Sequence, residues 1–399
     1  MFAKRGPFPL LAAVLVALLA FLAGCGGEEE AGTPAAEEPP KPSEYRVGLI
    51  AELTGPFSSV GEDGKKAVEL YFTRVAPQID GVPVRLIICD GQSTPEQAVA
   101  CARKLIEQDR VHIILGPYVS VSINPVVPVA QAAGVVHLHH SPLAEAPANS
   151  YTFATQYGGP EYDAIPQLKF FRERGWTRVG VIATTDRSGQ ALLEQFERFA
   201  PQFGITYKVE RMEVTDTDVT TQLASLRSFN PQVISVLMSG QPGAVVYRGM
   251  QLLNMSLPTW FVSSNATSRF MQSTREIQPR ELYFATGLAV EPSFVEDSET
   301  RTQLENFSRL YEQTYGVRAD VIARGSLNYS QVAAYLLKVT RGDSARAKQV
   351  LESGQPIPGV LSMTFTRDRH FACLENCRNL VVQLMPDQSI RVVATYTGR

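Results

Sequence analysis

Serines in short polar loops that follow apolar runs are the residues of this chain best placed to do chemistry, and the chemistry is the binding of an anionic group. Ser120 and Ser122 follow the β-branched run 111–115, which Gly116-Pro117 brings to a stop. Asn124-Pro125 fits an N-cap with proline at the first helical position, so the spacing predicts a helix from Asn124. A helix starting there would aim free backbone N–H groups at the space above the strand ends, a geometry that receives anions. Residues 135–139 read as the next strand, and Ser141-Pro142-Leu143 opens a second polar loop at the same edge. Tyr118 and Tyr157 could supply aromatic walls, or be ordinary tyrosines at loop ends. Ser120 and Ser122 have the alternative role of capping local backbone.

Other reactive side chains carry weaker chemistry. His137, His139 and His140 suggest zinc, since two of them share a strand face, but no fourth ligand converges in the sequence, so packing or cleft lining is expected and no metal site. No cofactor is expected either. Glu145 could point to water or balance a ligand ammonium. No nucleophile-elbow sequence accompanies Asp186, the histidines and the serines, so a surface hydrolase built on them stays a rival reading and a non-enzyme is expected.

The elements that must position these loops alternate as strand, helix, strand, which predicts α/β architecture with parallel sheets. Residues 46–51 read RVGLIA, apolar enough to be covered on both faces. Thr94-Pro95-Glu96-Gln97 reads as a capping box, with Ala98, Cys101, Ala102 and Leu105 as the buried stripe behind it. The pattern restarts at residues 178–183, RVGVIA, and 232–240 echo the run that ends at Gly116. Two matches in the same order indicate a duplicated lobe. A crevice would then lie between the carboxyl ends of two sets of strands. Its second half would fall near residues 186–189, 239–241 and 263–265, which include Asp186, Ser188, Gln241 and Ser264. Residues 361–366, 379–385 and 390–396 read as final strands.

The first 25 residues read as an export signal, with Lys4 and Arg5 before an apolar run at 10–22. Leu22-Ala23-Gly24-Cys25 resembles a bacterial lipoprotein processing box, which implies lipidation of Cys25 and an extracytoplasmic, membrane-anchored protein; an ordinary secretory signal or an uncleaved anchor are the alternatives. Residues 26–44 lack large apolar side chains and read as a disordered acidic tether, spanning up to roughly 60 Å when extended. A formal net charge of −3 and the lack of any basic run argue against a nucleic-acid partner. In an oxidising compartment, Cys89 with Cys101 and Cys373 with Cys377 are expected as disulfides, and a thiol nucleophile is the competing interpretation.

The body resembles the branched-chain amino-acid binding protein family of solute receptors, which has the type I periplasmic binding fold. The likeness is carried by Val47-Gly48-Leu49-Ile50-Ala51-Glu52-Leu53-Thr54-Gly55-Pro56 with Gly61, by Asp90-Gly91-Gln92 before Pro95 and Ala98, and by Ile113, Leu115-Gly116, Pro125 and Ser141-Pro142. The resemblance implies two lobes joined by three crossings, near residues 156–160, 286–291 and 355–359. Lobe one would be 45–157 plus 287–355, and lobe two 158–286 plus 356–399. It implies a small ligand held between the lobes and delivery to the permease of an ABC transporter; a sensor that signals without transport is the alternative. It also implies that Ser120 binds a ligand carboxylate, with Ser122 nearby and the backbone of residues 141–143 at the ligand's head. Three positions depart from the family pattern. Glu145 replaces a hydroxyl, Ser188 replaces a tyrosine, and no acid stands at residues 263–265. The expected ligand is small, polar and carboxylate-bearing, an amino acid or a related compound.

Overall fold

The computed structural model describes residues 39–141, 144–157, 161–286, 292–360, 362–372, 378–387 and 389–397, which form one compact unit. The expected leader with Cys25, residues 26–38 of the tether, Leu143, Cys373 and Cys377 lie outside the described residues, as does the side chain of Tyr157. The end of the tether is described and held against the body, with Lys41 paired to Asp80 at 2.6 Å and the Pro39 carbonyl accepting from Arg341 at 2.8 Å, so the expected disorder does not reach residues 39–44. The chain begins with β1 (Tyr45–Ala51), α1 (Ser58–Leu70), β2 (Gln78–Ile79), β3 (Val82–Asp90), α2 (Pro95–Arg103), β4 (Ile113–Leu115), α3 (Ser120–Ala133), β5 (Val136–His139) and β6 (Thr152–Tyr157). It continues through α4 (Glu161–Glu173), β7 (Arg178–Thr184), α5 (Arg187–Phe199), β8 (Thr206–Met212), α6 (Thr220–Ser228), β9 (Val233–Leu237), α7 (Gln241–Leu252), β10 (Thr259–Phe261), α8 (Ser268–Thr274) and β11 (Leu282–Thr286). The last part holds α9 (Ser298–Tyr315), α10 (Val321–Thr340), α11 (Ser344–Leu351), β12 (Phe371–Ala372), β13 (Arg378–Leu384) and β14 (Ile390–Thr397).

Two seven-stranded sheets result, ordered β12-β6-β5-β4-β1-β3-β2 and β14-β13-β11-β10-β9-β7-β8. The sequence echoes have a topological meaning. β1 lies between β4 and β3, and β7 lies between β9 and β8, so the two echoes take corresponding places in their sheets. β1 runs parallel to β4 with Leu49 beside Leu115, and β7 runs parallel to β9 with Ala183 beside Leu237. The parallel strands therefore end at a common edge in each lobe, where βα loops gather.

Each central strand is apolar on both faces because each face is covered by helices. Leu49, Ile113 and Leu115 face a core shared with α1, α9 and α10, whereas Ile50 and Ile114 face α2 and α3. In the second lobe Val181 and Trp260 meet α4 and α5, and Ile182, Val236 and Phe261 meet α6, α7 and α8. Burying a side chain of this size contributes about 1.5–3 kcal/mol. Thr94 caps α2 as expected, its Oγ1 accepting from the Gln97 N–H at 3.3 Å, but the box is not closed, because the Thr94 N–H donates to the Gly91 carbonyl at 3.0 Å instead of to the Gln97 side chain. Cys89 and Cys101 form a disulfide that ties β3 to α2.

Two local expectations are corrected. α3 begins at Ser120 and carries Pro125 and Pro128 in its interior. Asn124 is not its cap, and its side-chain oxygen instead accepts from the Glu145 N–H at 2.8 Å, tying one cleft loop to the next. The strand expected from 361 to 366 is also absent among the described residues of that stretch, where only isolated bridges such as Ile357 with Met363 occur. Ile357, Val360, Met363, Phe365 and Ala372 pack into the first core, and β12 lies in the first sheet beside β6. The sequence reading gave residues 356–372 to lobe two; they sit with lobe one, and the chain returns to the second sheet between β12 and β13.

Candidate functional site

A cavity of about 40 Å³ lies between the two sets of strand ends. Lobe one lines it with Val60 of α1, Tyr118, Val119 and Ser120 after β4, His140 and Ser141 after β5, and Val321 and Ile322 at the start of α10. Lobe two supplies Asp163 of α4, Ser188 of α5, Ser239 after β9 and residues 262–264 after β10. A single water needs roughly 10–15 Å³, so the space equals that of about three waters.

The first wall is built from below. Gly116 ends β4 with φ +70°, and a Cβ there would stand 2.2 Å from the Ile50 carbonyl oxygen, so only glycine lets the loop turn so close to β1. Glu52, fully buried at the end of β1, then fixes the loop: its carboxylate accepts from the Tyr118 N–H at 3.1 Å and the Val119 N–H at 3.3 Å. Burial pushes the Glu52 carboxyl up to about 7, while the hydrogen bonds from the Tyr118 and Val119 N–H groups pull the other way. The Tyr118 hydroxyl bonds to Ser326 at 3.2 Å and to Tyr329, which clamps the ring against α10. Ser120, the first residue of α3, is 1% exposed, and its hydroxyl has no partner among the described residues.

His137 is locked beneath this wall. Its Nε2–H donates to the Gly116 carbonyl at 2.7 Å, because a carbonyl can only accept, and its Nδ1 then accepts from the Thr152 hydroxyl at 3.1 Å. His139 donates from Nε2 to the Glu145 carbonyl at 3.1 Å and accepts at Nδ1 from the Ser141 N–H at 3.3 Å. Burial holds His137 and His140 neutral, each lowered to about 4. Among the described residues no three His, Cys, Asp or Glu side chains converge as metal ligands. His140 does line the cavity, stacked at a tilt on Tyr329.

The second wall mirrors the first. Asp186 caps α5, accepting from the Ser188 and Gly189 N–H groups at 3.1 and 3.3 Å. Ser188 is 3% exposed and its hydroxyl, like that of Ser120, has no partner among the described residues. Asn265 bridges two loops, accepting from the Gly240 N–H at 2.7 Å and donating to the Met238 carbonyl at 2.9 Å, while the Ser239 and Ser264 hydroxyls meet at 2.7 Å. The lobes touch where Gly240, at φ +76°, passes Pro56: a Cβ would sit 2.7 Å from the Pro56 carbonyl oxygen.

Of the residues singled out from sequence, Tyr118, Ser120, Ser141, Ser188 and Ser264 meet around this cavity. Ser122 is fully buried behind Ser120 and does not line it. Glu145 has an exposed side chain, and only its backbone serves the site. Asp186 works as a helix cap, and Gln241 is exposed at the start of α7, away from the lining. Sequence reasoning missed Asp163, 6% exposed and pushed up to about 7 by burial, and the α10 residues Val321 and Ile322. No motif marks Asp163; an acid near the start of a helix just past an expected crossing was the available signal.

A family model described as "Periplasmic binding protein" matches residues 44–381. The chain is 26% identical over 203 residues to a Leu/Ile/Val-binding protein of Rhizobium johnstonii, covering 48% of this chain and 54% of that one, so it spans about half the length of that curated relative. Among solved structures it is similar to a leucine-binding protein of Thermotoga maritima, with a TM-score of 0.77 at 17% identity over 88% of this chain and 98% of that one. It is also similar to an ABC-transporter solute-binding protein of Rhodopseudomonas palustris in complex with 4-hydroxybenzoate, with a TM-score of 0.74 at 15% identity over 89% and 97% of the two chains. At such identities the likeness shows the fold: two α/β lobes of the type I periplasmic binding class.

Proposed function

The chain belongs to the periplasmic binding protein family, whose members are extracytoplasmic solute-binding proteins, and from that premise we propose that it captures a small polar, carboxylate-bearing solute between its lobes for an ABC-type importer. It works without catalysis and is held at a bacterial membrane by a lipid on Cys25. One observation supports the reading above the others. Ser120 and Ser188 face one cavity from opposite lobes, each buried and each with an unused hydroxyl. A buried polar group without a partner costs about 1–3 kcal/mol, so a ligand that satisfies both is selected and stabilises the closed arrangement. The start of α3 adds backbone dipoles that favour a carboxylate beside Ser120. The relative named for Leu, Ile and Val and the neighbour holding 4-hydroxybenzoate differ in ligand class, yet both classes carry a carboxylate. The test is a thermal-shift screen of amino acids, short aliphatic acids, aromatic acids and the matching amides. A ligand that binds only the folded state raises the melting temperature. Hits among the acids and none among the amides are expected. Hits confined to uncharged compounds would refute the reading.

A further inference from the structure

The cavity has one acidic side chain, and no basic side chain in its lining answers it. Asp163 stands in the first turn of α4, 6% exposed, and has no hydrogen-bond or ion-pair partner among the described residues. No lysine or arginine lines the cavity, and its histidine, His140, is held neutral by burial. The remaining polar lining is hydroxyl: six serines, Ser120, Ser141, Ser188, Ser239, Ser263 and Ser264, and Tyr118, whose hydroxyl is bonded to Ser326 and Tyr329. A carboxylate taken out of water without a counter-charge is costly, and the cost is recovered when a cation arrives with the ligand. The loop after β10, at residues 263–265, reads Ser-Ser-Asn, and its Asn265 is committed to the Gly240 and Met238 backbone. That loop therefore offers no acid.

We propose that Asp163 is the specificity-determining carboxylate of this site, reading a protonated amino group on the solute from the lobe-two side. Ser120 and the start of α3 take the solute's carboxylate from the lobe-one side. The inference rests on the receptor reading above and narrows it. The ligand is a small zwitterion, with its amino group close enough to its carboxylate for both to fit a space of about 40 Å³. Each charge then engages a different lobe, so a molecule lacking either one bridges them less well.

The experiment is calorimetric titration of the mature full chain at pH 8 with L-alanine, L-valine and L-leucine. Each is paired with the same acid lacking its amino group: propionate, 3-methylbutanoate and 4-methylpentanoate. 4-Hydroxybenzoate is a further probe. Wild-type protein is expected to bind at least one amino acid, and its deaminated partner at least 30-fold more weakly. Asp163→Asn, which keeps the shape, should lose at least 30-fold for the amino acid and change the deaminated acid by less than threefold. Ser120→Ala should weaken both members of the pair. The wild-type pairs alone keep the test decisive if a variant does not fold. Wild-type binding of deaminated acids or 4-hydroxybenzoate in preference to amino acids overturns the role of Asp163 and leaves the receptor reading standing. So does amino-acid binding that Asp163→Asn leaves within threefold. Binding of none of the probes overturns both.

Discussion

Replacing Glu52 by glutamine tests how the first wall of the site is held. The side chain is fully buried, and its two oxygens accept from the Tyr118 and Val119 N–H groups. An amide of the same shape keeps one acceptor and presents an NH2 to the other N–H, leaving a buried donor unsatisfied at a cost of about 1–3 kcal/mol. The pH dependence carries the sharper information. Folding raises the Glu52 carboxyl from its ordinary 4.5 to about 7, with burial as the leading cause. The folded state thus binds more protons than the unfolded state between those values, and the wild-type contribution is full below 4.5 and falls as pH rises through 7. At 1.36 kcal/mol per pH unit, that gap costs the wild type roughly 3 kcal/mol by pH 8. Glutamine does not titrate. Glu52→Gln should therefore melt several degrees below wild type at pH 5, and the deficit should vanish or reverse by pH 8. Thermal unfolding of the two proteins side by side at both pH values measures this, since the titrations they share cancel in the difference. A deficit that stays constant or grows toward pH 8 would refute the argument that burial governs this carboxyl.

Two further outcomes follow from the described contacts. The Cys89–Cys101 disulfide closes a loop of sequence separation 12, so Cys89→Ser with Cys101→Ser should destabilise the chain by about 3 kcal/mol, read as a lower urea midpoint in the same buffer. Gly240→Ala places a methyl group 2.7 Å from the Pro56 carbonyl of the opposite lobe and forces alanine into positive φ; it should weaken the best hit of the solute screen at least tenfold, and unchanged affinity would show that the lobes need not approach there.

The fold was legible wherever local pattern and topology coincide. RVGLIA and RVGVIA became β1 and β7 because a strand covered on both faces must be apolar throughout, and both occupy the same place in their sheets. The loops following β4, β5, β7, β9 and β10 were equally visible, since a strand's end and a serine beside it are both local facts. What escaped was set by distance in sequence. Glu52 lay inside a quoted motif, yet its role is to hold amides 66 and 67 residues away. Asp163 gains its meaning only because α4 delivers it to a cavity whose other wall begins near residue 60. Glu145 misled for the opposite reason, since a charged side chain draws attention although here the backbone N–H and carbonyl are what Asn124 and His139 use. Pro125 misplaced the start of α3 because it reads locally as a first helical position, whereas the helix runs from Ser120 through both Pro125 and Pro128.

The central claim is that one solute is held by groups from both lobes at once. The most direct measurement is the affinity of L-leucine, L-alanine and 4-hydroxybenzoate for the wild type, Ser120→Ala and Ser188→Ala by calorimetric titration. One of these acids should bind the wild type, and each variant should weaken that same acid about tenfold, because each removes one hydroxyl from an opposite wall. Binding that neither substitution weakens, or that only one lobe's serine affects, would contradict it.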